Sequence, residues 1–350
     1  MKVAVDVRMS GKSGIGAFLD NMLPTLKAGA EVVEIKPDIK PFSLKEMFFF
    51  PKDELKKING CDAFFSPYCN VPGRLFSRGI KVPIFTTIHD VIFLDLPLAG
   101  KLGTMARKEI YQRAINKSRE IFTVSEFSKS RILARLKCKK PINVVHNGVP
   151  LYNEEAAGTS QKIQKTDTII FVGNIKAHKG IKTLIPAFIK ARAILQVQNA
   201  PRQADGLPRL LIVGSKENFR TSDTELDALM QDAQKNGIEF TGFLPDEKLK
   251  DFIARARLLV QPSLYEGFGI PPLQALYSGT RAVISDIPVF NEIYARLPVT
   301  FFKAGDADDL AQKIAAVYSD QSPLPPVERI YSYKNSAQAL LKRIAESIKM

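Results

Sequence analysis

The apolar positions of the chain alternate between two periods. Short, nearly continuous apolar runs at residues 3–7, 32–35, 63–65, 84–88, 121–124 and 144–145 read as strands buried on both faces. Between them the spacing becomes helical. Phe18, Met22 and Leu26 form one stripe within a helix predicted over 17–27, and further helices are expected over 101–117 and 126–136. A polar stretch, 152–166, carries Gly, Ser, Thr and charges with little apolar content and reads as an interdomain linker. A second alternation follows. Strands are predicted at 168–172, 210–213, 238–241, 258–261, 282–285 and 300–302. Helices are predicted at 183–193, 225–236, 246–254, 272–278 and 307–319, with an exposed loop at 196–208. The last stretch, 336–349, is again helical in pattern.

Strand–helix alternation argues for parallel, doubly wound sheets, and 350 residues suit two such domains. The expected fold class is α/β, with two Rossmann-like domains facing across a central cleft. Residues 1–160 form the first domain and 161–335 the second, and 336–350 is a helix crossing back to the first. Ligands are expected at the C-terminal ends of the strands.

The run at 262–276, Pro-Ser-Leu-Tyr-Glu-Gly-Phe-Gly-Ile-Pro-Pro-Leu-Gln-Ala-Leu, follows a predicted strand. Gly267 and Gly269 let backbone approach a ligand closely. Pro271 and Pro272 suit a first helical turn, where a missing N–H costs little. The remaining N–H groups of such a turn attract a phosphate. Glu266, at the mouth of this loop, is an acceptor suited to hydroxyls. A phosphate site beside a hydroxyl acceptor points to a nucleotide-sugar. Glu266 also admits a plainer reading, as a partner of the helix N-terminus.

Composition narrows the picture. The formal charge is +14, and most of the excess falls in 101–140, with 12 Lys/Arg against 3 Asp/Glu. Such a field suits anionic lipid or a pyrophosphate-linked acceptor, and equally a solvated basic face. No nucleic-acid motif accompanies it, so no nucleic-acid partner is expected. The apolar, lysine-flanked stretch 41–52 reads either as a core helix or as a membrane-interface surface. Cys61, Cys69 and Cys138 are odd in number and match no metal spacing. Three free thiols, no apolar run long enough to span a bilayer and no signal-like N-terminus lead to the expectation of a cytoplasmic protein, with peripheral contact at the inner face of the cell membrane left open.

Short motifs then occur in a fixed order: Asp6-Val-Arg8 with Ser13-Gly-Ile-Gly16, Phe65-Ser-Pro67, Thr87-Ile-His-Asp90, Thr123-Val-Ser-Glu-Phe-Ser128 and His146-Asn-Gly-Val149. The second half adds Phe171-Val-Gly-Asn174 with His178-Lys-Gly180, Thr241-Gly-Phe243, Pro262 through Gly269, and Gly279-Thr280. In order and spacing they make the chain resemble the family 4, GT-B fold retaining glycosyltransferases, which use nucleotide-sugar donors. The resemblance covers most of the chain.

The resemblance implies roles. Glu266 matches the first glutamate of the family's Glu-x7-Glu signature and would contact the donor sugar. Gln274 stands where the second glutamate holds the ribose hydroxyls; it keeps one acceptor oxygen, loses the charge and weakens donor binding without abolishing it. Lys179 matches the phosphate-binding lysine, although a solvated loop lysine is the plain alternative. Asn174 stands where the family often has an arginine. Gly14 and Gly16 would pass over the phosphates, with Arg8 and Lys12 adding positive charge, and the amides of Gly267, Phe268 and Gly269 would face the diphosphate. His89, after the strand at 84–88, matches a histidine that contacts the donor sugar; a satisfied structural histidine is the other reading.

The implied catalytic set is His89, Lys179 and Glu266. The implied donor-binding set is Gly14, Gly16, Asn174, Lys179, Glu266, Gly267, Phe268, Gly269 and Gln274. No metal and no cofactor are implied. The implied reaction moves a hexose from a nucleotide diphosphate sugar to a saccharide or lipid-linked saccharide acceptor, by front-face substitution without a covalent intermediate. Two other classes fit the same fold: a nucleotide-sugar epimerase, and a catalytically weak nucleotide-sugar-binding module.

Overall fold

A computed structural model describes residues 1–11, 13–43, 45–46, 49–72, 79–96, 98, 100–149, 163–198, 207–215, 229 and 233–350. Within them the chain forms two parallel six-stranded sheets. The elements are β1 (Lys2–Asp6), α1 (Ser13–Gly29), β2 (Glu31–Ile35), α2 (Lys52–Asn59), β3 (Ala63–Ser66), β4 (Ile84–Thr87), α3 (Ile92–Asp95), α4 (Lys101–Lys117), β5 (Glu120–Thr123), α5 (Glu126–Arg135) and β6 (Ile142–Val144). They continue with β7 (Thr166–Val172), α6 (Ile181–Gln198), β8 (Arg209–Val213), β9 (Ile238–Gly242), α7 (Asp246–Arg255), β10 (Ala256–Gln261), α8 (Pro271–Tyr277), β11 (Arg281–Ser285), α9 (Pro288–Tyr294), β12 (Thr300–Phe302), α10 (Ala307–Ser319) and α11 (Tyr333–Lys349). Lys12, most of the predicted linker 152–166, the centre of the loop 196–208 and most of the predicted helix 225–236 lie outside the described residues. So do Leu44, Met47 and Phe48 of the stretch 41–52.

The chain divides into two units, Met1–Leu151 with Ile330–Met350, and Tyr152–Arg329. The N-terminal sheet has the order β2-β1-β3-β4-β5-β6 and the C-terminal sheet β12-β11-β10-β7-β8-β9. Each strand feeds two cores because its side chains alternate in direction. In the C-terminal unit Ile169, Phe171, Leu210, Ile212, Leu258 and Val260 pack with α6 and α10. Their neighbours Ile170, Leu211, Val213 and Leu259 pack with α7 and α8 on the other face. In the N-terminal unit Val3, Val5 and Phe65 meet Phe18, Leu19 and Met22 of α1 and Leu340 and Ile344 of α11, while Ala4 and Phe64 face Leu55 and Ile58 of α2. Burial on both faces explains the continuous apolar runs. Each fully buried Phe or Leu contributes about 1.5–3 kcal/mol.

The predicted helix at 17–27 begins earlier, at Ser13, and its stripe Phe18, Met22 and Leu26 is at most 2% exposed. Helices α2, α3 and α9 have no counterpart in the sequence reading. α3 and α9 are four and seven residues long, too short for periodicity to reveal. In the stretch 41–52, Phe50 is buried in the core beneath the Arg8 guanidinium, while Phe49 is 66% exposed.

The C-terminal helix belongs to the N-terminal unit. The chain leaves that unit just after Val149 and re-enters at Ile330, and the two passages pair as a parallel bridge between Val149 and Ser332. Ser336 Oγ donates to the His146 carbonyl at 2.6 Å. Farther along α11, Arg343 grips buried Glu120 of β5 with two bonds, of 2.7 and 2.8 Å, and Asn143 adds a third at 2.7 Å. Burial opposes the Glu120 charge, but hydrogen bonds from Arg343, Ser347 and Asn143 outweigh it and hold the carboxyl below its ordinary pKa. Replacing Arg343 by Met leaves that carboxylate short of its charged partner. The expected cost is about 2 kcal/mol of stability, read as a lower urea midpoint; an unchanged midpoint contradicts this role for Arg343.

Candidate functional site

Strand order locates the site. In the C-terminal sheet β7 and β10 are neighbours, and the chain winds outward from them in opposite directions, to β8 and β9 on one side and to β11 and β12 on the other. At such a reversal the loops leaving the strand ends part and open a crevice. Two segments emerge there, 173–180 after β7 and 262–270 after β10.

Backbone joins them. Leu264 N–H donates to the His178 carbonyl at 2.8 Å. Gly180 has φ +74°, and a Cβ on it would lie 1.9 Å from the Pro262 carbonyl oxygen, so only glycine fits. This contact brings Lys179 to Glu266. The Lys179 Nζ donates to Glu266 Oε1 at 2.7 Å and to Oε2 at 2.8 Å. Ser263 Oγ donates to Oε1 at 2.8 Å, and Gln261 Nε2 donates to Ser263 Oγ at 3.0 Å. The Lys179 and Glu266 side chains keep 19% and 11% exposure, so a solute can reach an ion pair whose surroundings are mostly protein.

The remaining predicted donor-binding residues of this unit take distinct positions. Gly267 is half-buried. Phe268 is 2% exposed, with its ring in the core, so what it offers a ligand is backbone. Gly269, φ +87°, packs its Cα against the Phe290 ring, and its carbonyl accepts from the Tyr294 hydroxyl. Gln274 is half-buried on the first turn of α8, which Pro271 opens. Asn174 is exposed just beyond β7. Neither Asn174 nor Gln274 makes a side-chain hydrogen bond to a described residue. His178 is buried, and its Nδ1 has no hydrogen-bond partner among the described residues. Burial first, then the adjacent Lys179 charge, pulls its pKa down to about 4, so the ring is neutral at pH 7.

Sequence reasoning missed the role of one residue here and quoted another, Phe243, only as part of a motif. Ser263, three residues before Glu266, steadies that carboxylate; the spacing was visible, but a serine after a strand is too common to single out. Phe243, just past β9, is 79% exposed beside Gly242, whose carbonyl accepts from Gly214 N–H.

In the N-terminal unit the corresponding reversal lies between β1 and β3. Arg8, expected to add positive charge to a ligand site, is instead 4% exposed and spent internally. It bonds Asp6 through Nε at 2.9 Å and Nη2 at 2.5 Å, and Glu46 through Nη1 at 2.6 Å. Tyr68 OH donates to Asp6 at 2.7 Å and Asn70 Nδ2 to Glu46 at 2.7 Å. Two carboxylates flank one guanidinium, which leaves nothing for an outside anion. Gly14 is exposed on the first turn of α1. Gly16 is buried there, and a Cβ on it would lie 2.3 Å from the Met9 carbonyl. One turn on, Phe18 meets the His89 ring edge-on at 4.8 Å, so the Gly14–Gly16 turn and His89 share one end of the sheet. His89 Nε2 donates to the Pro67 carbonyl at 2.9 Å. Burial pulls its pKa down to about 4, against the smaller opposing effect of that hydrogen bond. The ring is therefore neutral at pH 7, with Nδ1 as an acceptor.

Among the described residues no group of three or more His, Cys, Asp or Glu side chains is placed to hold a metal ion, and no helix is long and apolar enough to cross a membrane.

Both halves of the chain match known protein families. Residues 153–337 match the family described as glycosyl transferases group 1, and residues 32–152 match glycosyltransferase family 4. An uncharacterized glycosyltransferase of Methanocaldococcus jannaschii is 26% identical over 286 residues, which is 76% of this chain and 69% of that protein. The O-antigen chain mannosyltransferase RfbU of Salmonella typhimurium is 28% identical over 209 residues, 59% of this chain and 53% of that protein. The chain thus spans about half the length of that second relative. Among solved structures, a glycosyltransferase from Rickettsia africae superposes with a TM-score of 0.66 at 15% identity, covering 99% of this chain and 98% of its own. Anabaena HepE, solved in complex with UDP and glucose, gives 0.63 at 14% identity, covering 100% and 97%. With both halves of the chain matched and the two parallel six-stranded sheets in place, the protein belongs to the group 1, family 4 glycosyltransferases and has their GT-B fold.

Proposed function

We propose that this glycosyltransferase moves a hexose from a nucleotide diphosphate sugar to a hydroxyl of a saccharide acceptor, free or lipid-linked, with retention at the anomeric carbon. Polysaccharide or glycolipid assembly at a membrane surface is the setting this reading favours, with the protein itself cytoplasmic. The observation that carries it is the Lys179–Glu266 pair at the β7/β10 reversal, where a cation suited to phosphate and a carboxylate suited to hydroxyls sit 2.7 Å apart. The names of the mannosyltransferase relatives make mannose the first hexose to test.

In this reading Lys179 keeps two N–H bonds on Glu266 and directs its third at a phosphate oxygen. As the bond between the anomeric carbon and that phosphate breaks, negative charge grows on the leaving diphosphate. A fixed ammonium and the 267–269 backbone stabilise it without reorganising. The acceptor oxygen bonds the anomeric carbon from the same face, and its proton passes to the departing phosphate oxygen. Glu266 orients sugar hydroxyls, and Gln274 takes a ribose hydroxyl through its amide oxygen. Neutral His89 contributes Nδ1 as an acceptor for a sugar hydroxyl. No metal or cofactor enters the scheme.

Lys179→Ala and Glu266→Ala are each expected to lower kcat with GDP-mannose or another accepted donor by about 10²-fold or more. Wild-type-like transfer by either variant overturns its assigned role. Gln274→Glu is expected to preserve or tighten nucleotide-sugar binding in calorimetry, and lost binding contradicts the ribose assignment. The low pKa of His89 also carries a stability consequence. The unfolded chain takes up the histidine proton near pH 6.5 and the folded chain only near 4. That share of stability is complete above about 6.5 and falls as pH drops toward 4. His89→Gln is expected to flatten the loss of denaturation midpoint between pH 7 and 5; an unchanged slope refutes it.

A further inference from the structure

Helix α4 carries a surface that the proposed chemistry does not use. Its buried face is Tyr111, Ala114 and Ile115. On the opposite side, one turn apart, Leu102 is 84% exposed and Met105 67% exposed, and Leu98, just before the helix, is 38% exposed. Lys101 and Lys108 flank the pair, at positions one and three residues from its members, and are themselves exposed. Neither lysine makes an ion pair among the described residues. Helix α5 offers the contrast: Lys129 pairs with Glu126, and Arg131 and Arg135 both pair with Asp95. The chain's excess of positive charge is concentrated in this region; on the first two turns of α4 Arg107 stacks on the Phe93 ring at 3.7 Å, while Lys101 and Lys108 stay exposed beside apolar side chains. Glu109 marks where the patch ends.

Topology places the patch. α4 lies in the crossover from β4 to the parallel strand β5, so it starts at the C-terminal edge of the sheet and runs back about 25 Å to the other. Leu102 and Met105 are thus at the edge where His89 sits. On the buried side, Tyr111 lies within electrostatic reach of Asp90, the neighbour of His89.

We infer that the first two turns of α4 are a docking surface for an anionic lipid bilayer. Leu102 and Met105 enter the interface while Lys101 and Lys108 meet lipid phosphates. Exposed apolar residues occur singly on most proteins. Two large ones on one helical face, framed by exposed lysines that make no ion pair among the described residues, match a surface that is apolar below and negative above, and charge complementarity selects the anionic membrane. The inference rests on the membrane-side acceptor reading above and names the face that reading requires.

The chain has no tryptophan, so one introduced tryptophan reports its own surroundings. Full-length Met105→Trp is mixed with vesicles of phosphatidylcholine alone or with about one-third phosphatidylglycerol, at low and high salt. The expected result is a blue shift of emission with the anionic vesicles at low salt, with binding about tenfold or more weaker on neutral vesicles or at high salt. Val197→Trp, on an exposed site of the C-terminal unit, is expected to show no shift. In the otherwise native chain, Leu102→Ser with Met105→Ser, and separately Lys101→Glu with Lys108→Glu, are expected to abolish co-sedimentation while leaving the melting temperature within a few degrees of the parent. No binding to anionic vesicles overturns the inference. So does binding with unshifted Met105→Trp emission, or binding that survives both double variants. A thermal-shift response to nucleoside diphosphates, measured on the same samples, reads the donor site separately, so failure of one reading is not taken for failure of the other.

Discussion

The contact between Gly180 and the Pro262 carbonyl sets the distance on which the candidate site depends. It is a main-chain contact between loops leaving two adjacent parallel strands, and it leaves no room for a side chain. Because backbone fixes the spacing, Lys179 and Glu266 do not have to find each other through long, flexible side chains. Ser263 and Gln261 then remove the remaining freedom of the carboxylate. Such an arrangement is organised before a ligand arrives, which is what electrostatic catalysis requires of its charges. Without a ligand each charge is neutralised by the other, so neither is left unpaired in a largely desolvated setting.

The N-terminal unit uses charge in the opposite way. Asp6, Arg8 and Glu46 are at most 4% exposed and satisfy one another, together with Tyr68 and Asn70. This network fastens the segment that carries Ile39, Phe42 and Glu46 over the ends of β1 and β3, since Phe42 N–H donates to Glu46 at 2.7 Å. It is closed to ligands. What this unit presents at its strand ends is a neutral histidine, held by Pro67 and Phe18, beside a glycine turn. The proposed reaction would use this difference: a leaving diphosphate needs an accessible cation, while a sugar hydroxyl needs an uncharged, fixed acceptor.

Much of this was legible from the residues. Continuous apolar runs announced strands buried on both faces, and their alternation with helical stripes announced two doubly wound sheets. The Pro262–Leu276 segment was read as a loop leading into a short helix, and it is one, because glycine permits and proline fixes particular backbone angles whatever surrounds them. Lys179 and Glu266 were both named although 87 residues separate them. Helices α3 and α9 escaped notice because one or two turns cannot display a period. The role of Arg8 was misread because a basic residue near a glycine loop looks the same whether it faces solvent or two buried carboxylates.

Local pattern, then, determined element type, sheet class and the chemical identity of the loops, since backbone propensity and burial period act over a few neighbouring residues. Pairings were decided only in three dimensions: Lys179 with Glu266, Arg8 with Asp6 and Glu46, and Arg343 with Glu120, while Leu102 is left 84% exposed. Charges and exposed side chains acquire meaning from what stands opposite them. In a parallel sheet that partner is set by strand order, which brings together residues that the linear chain keeps far apart.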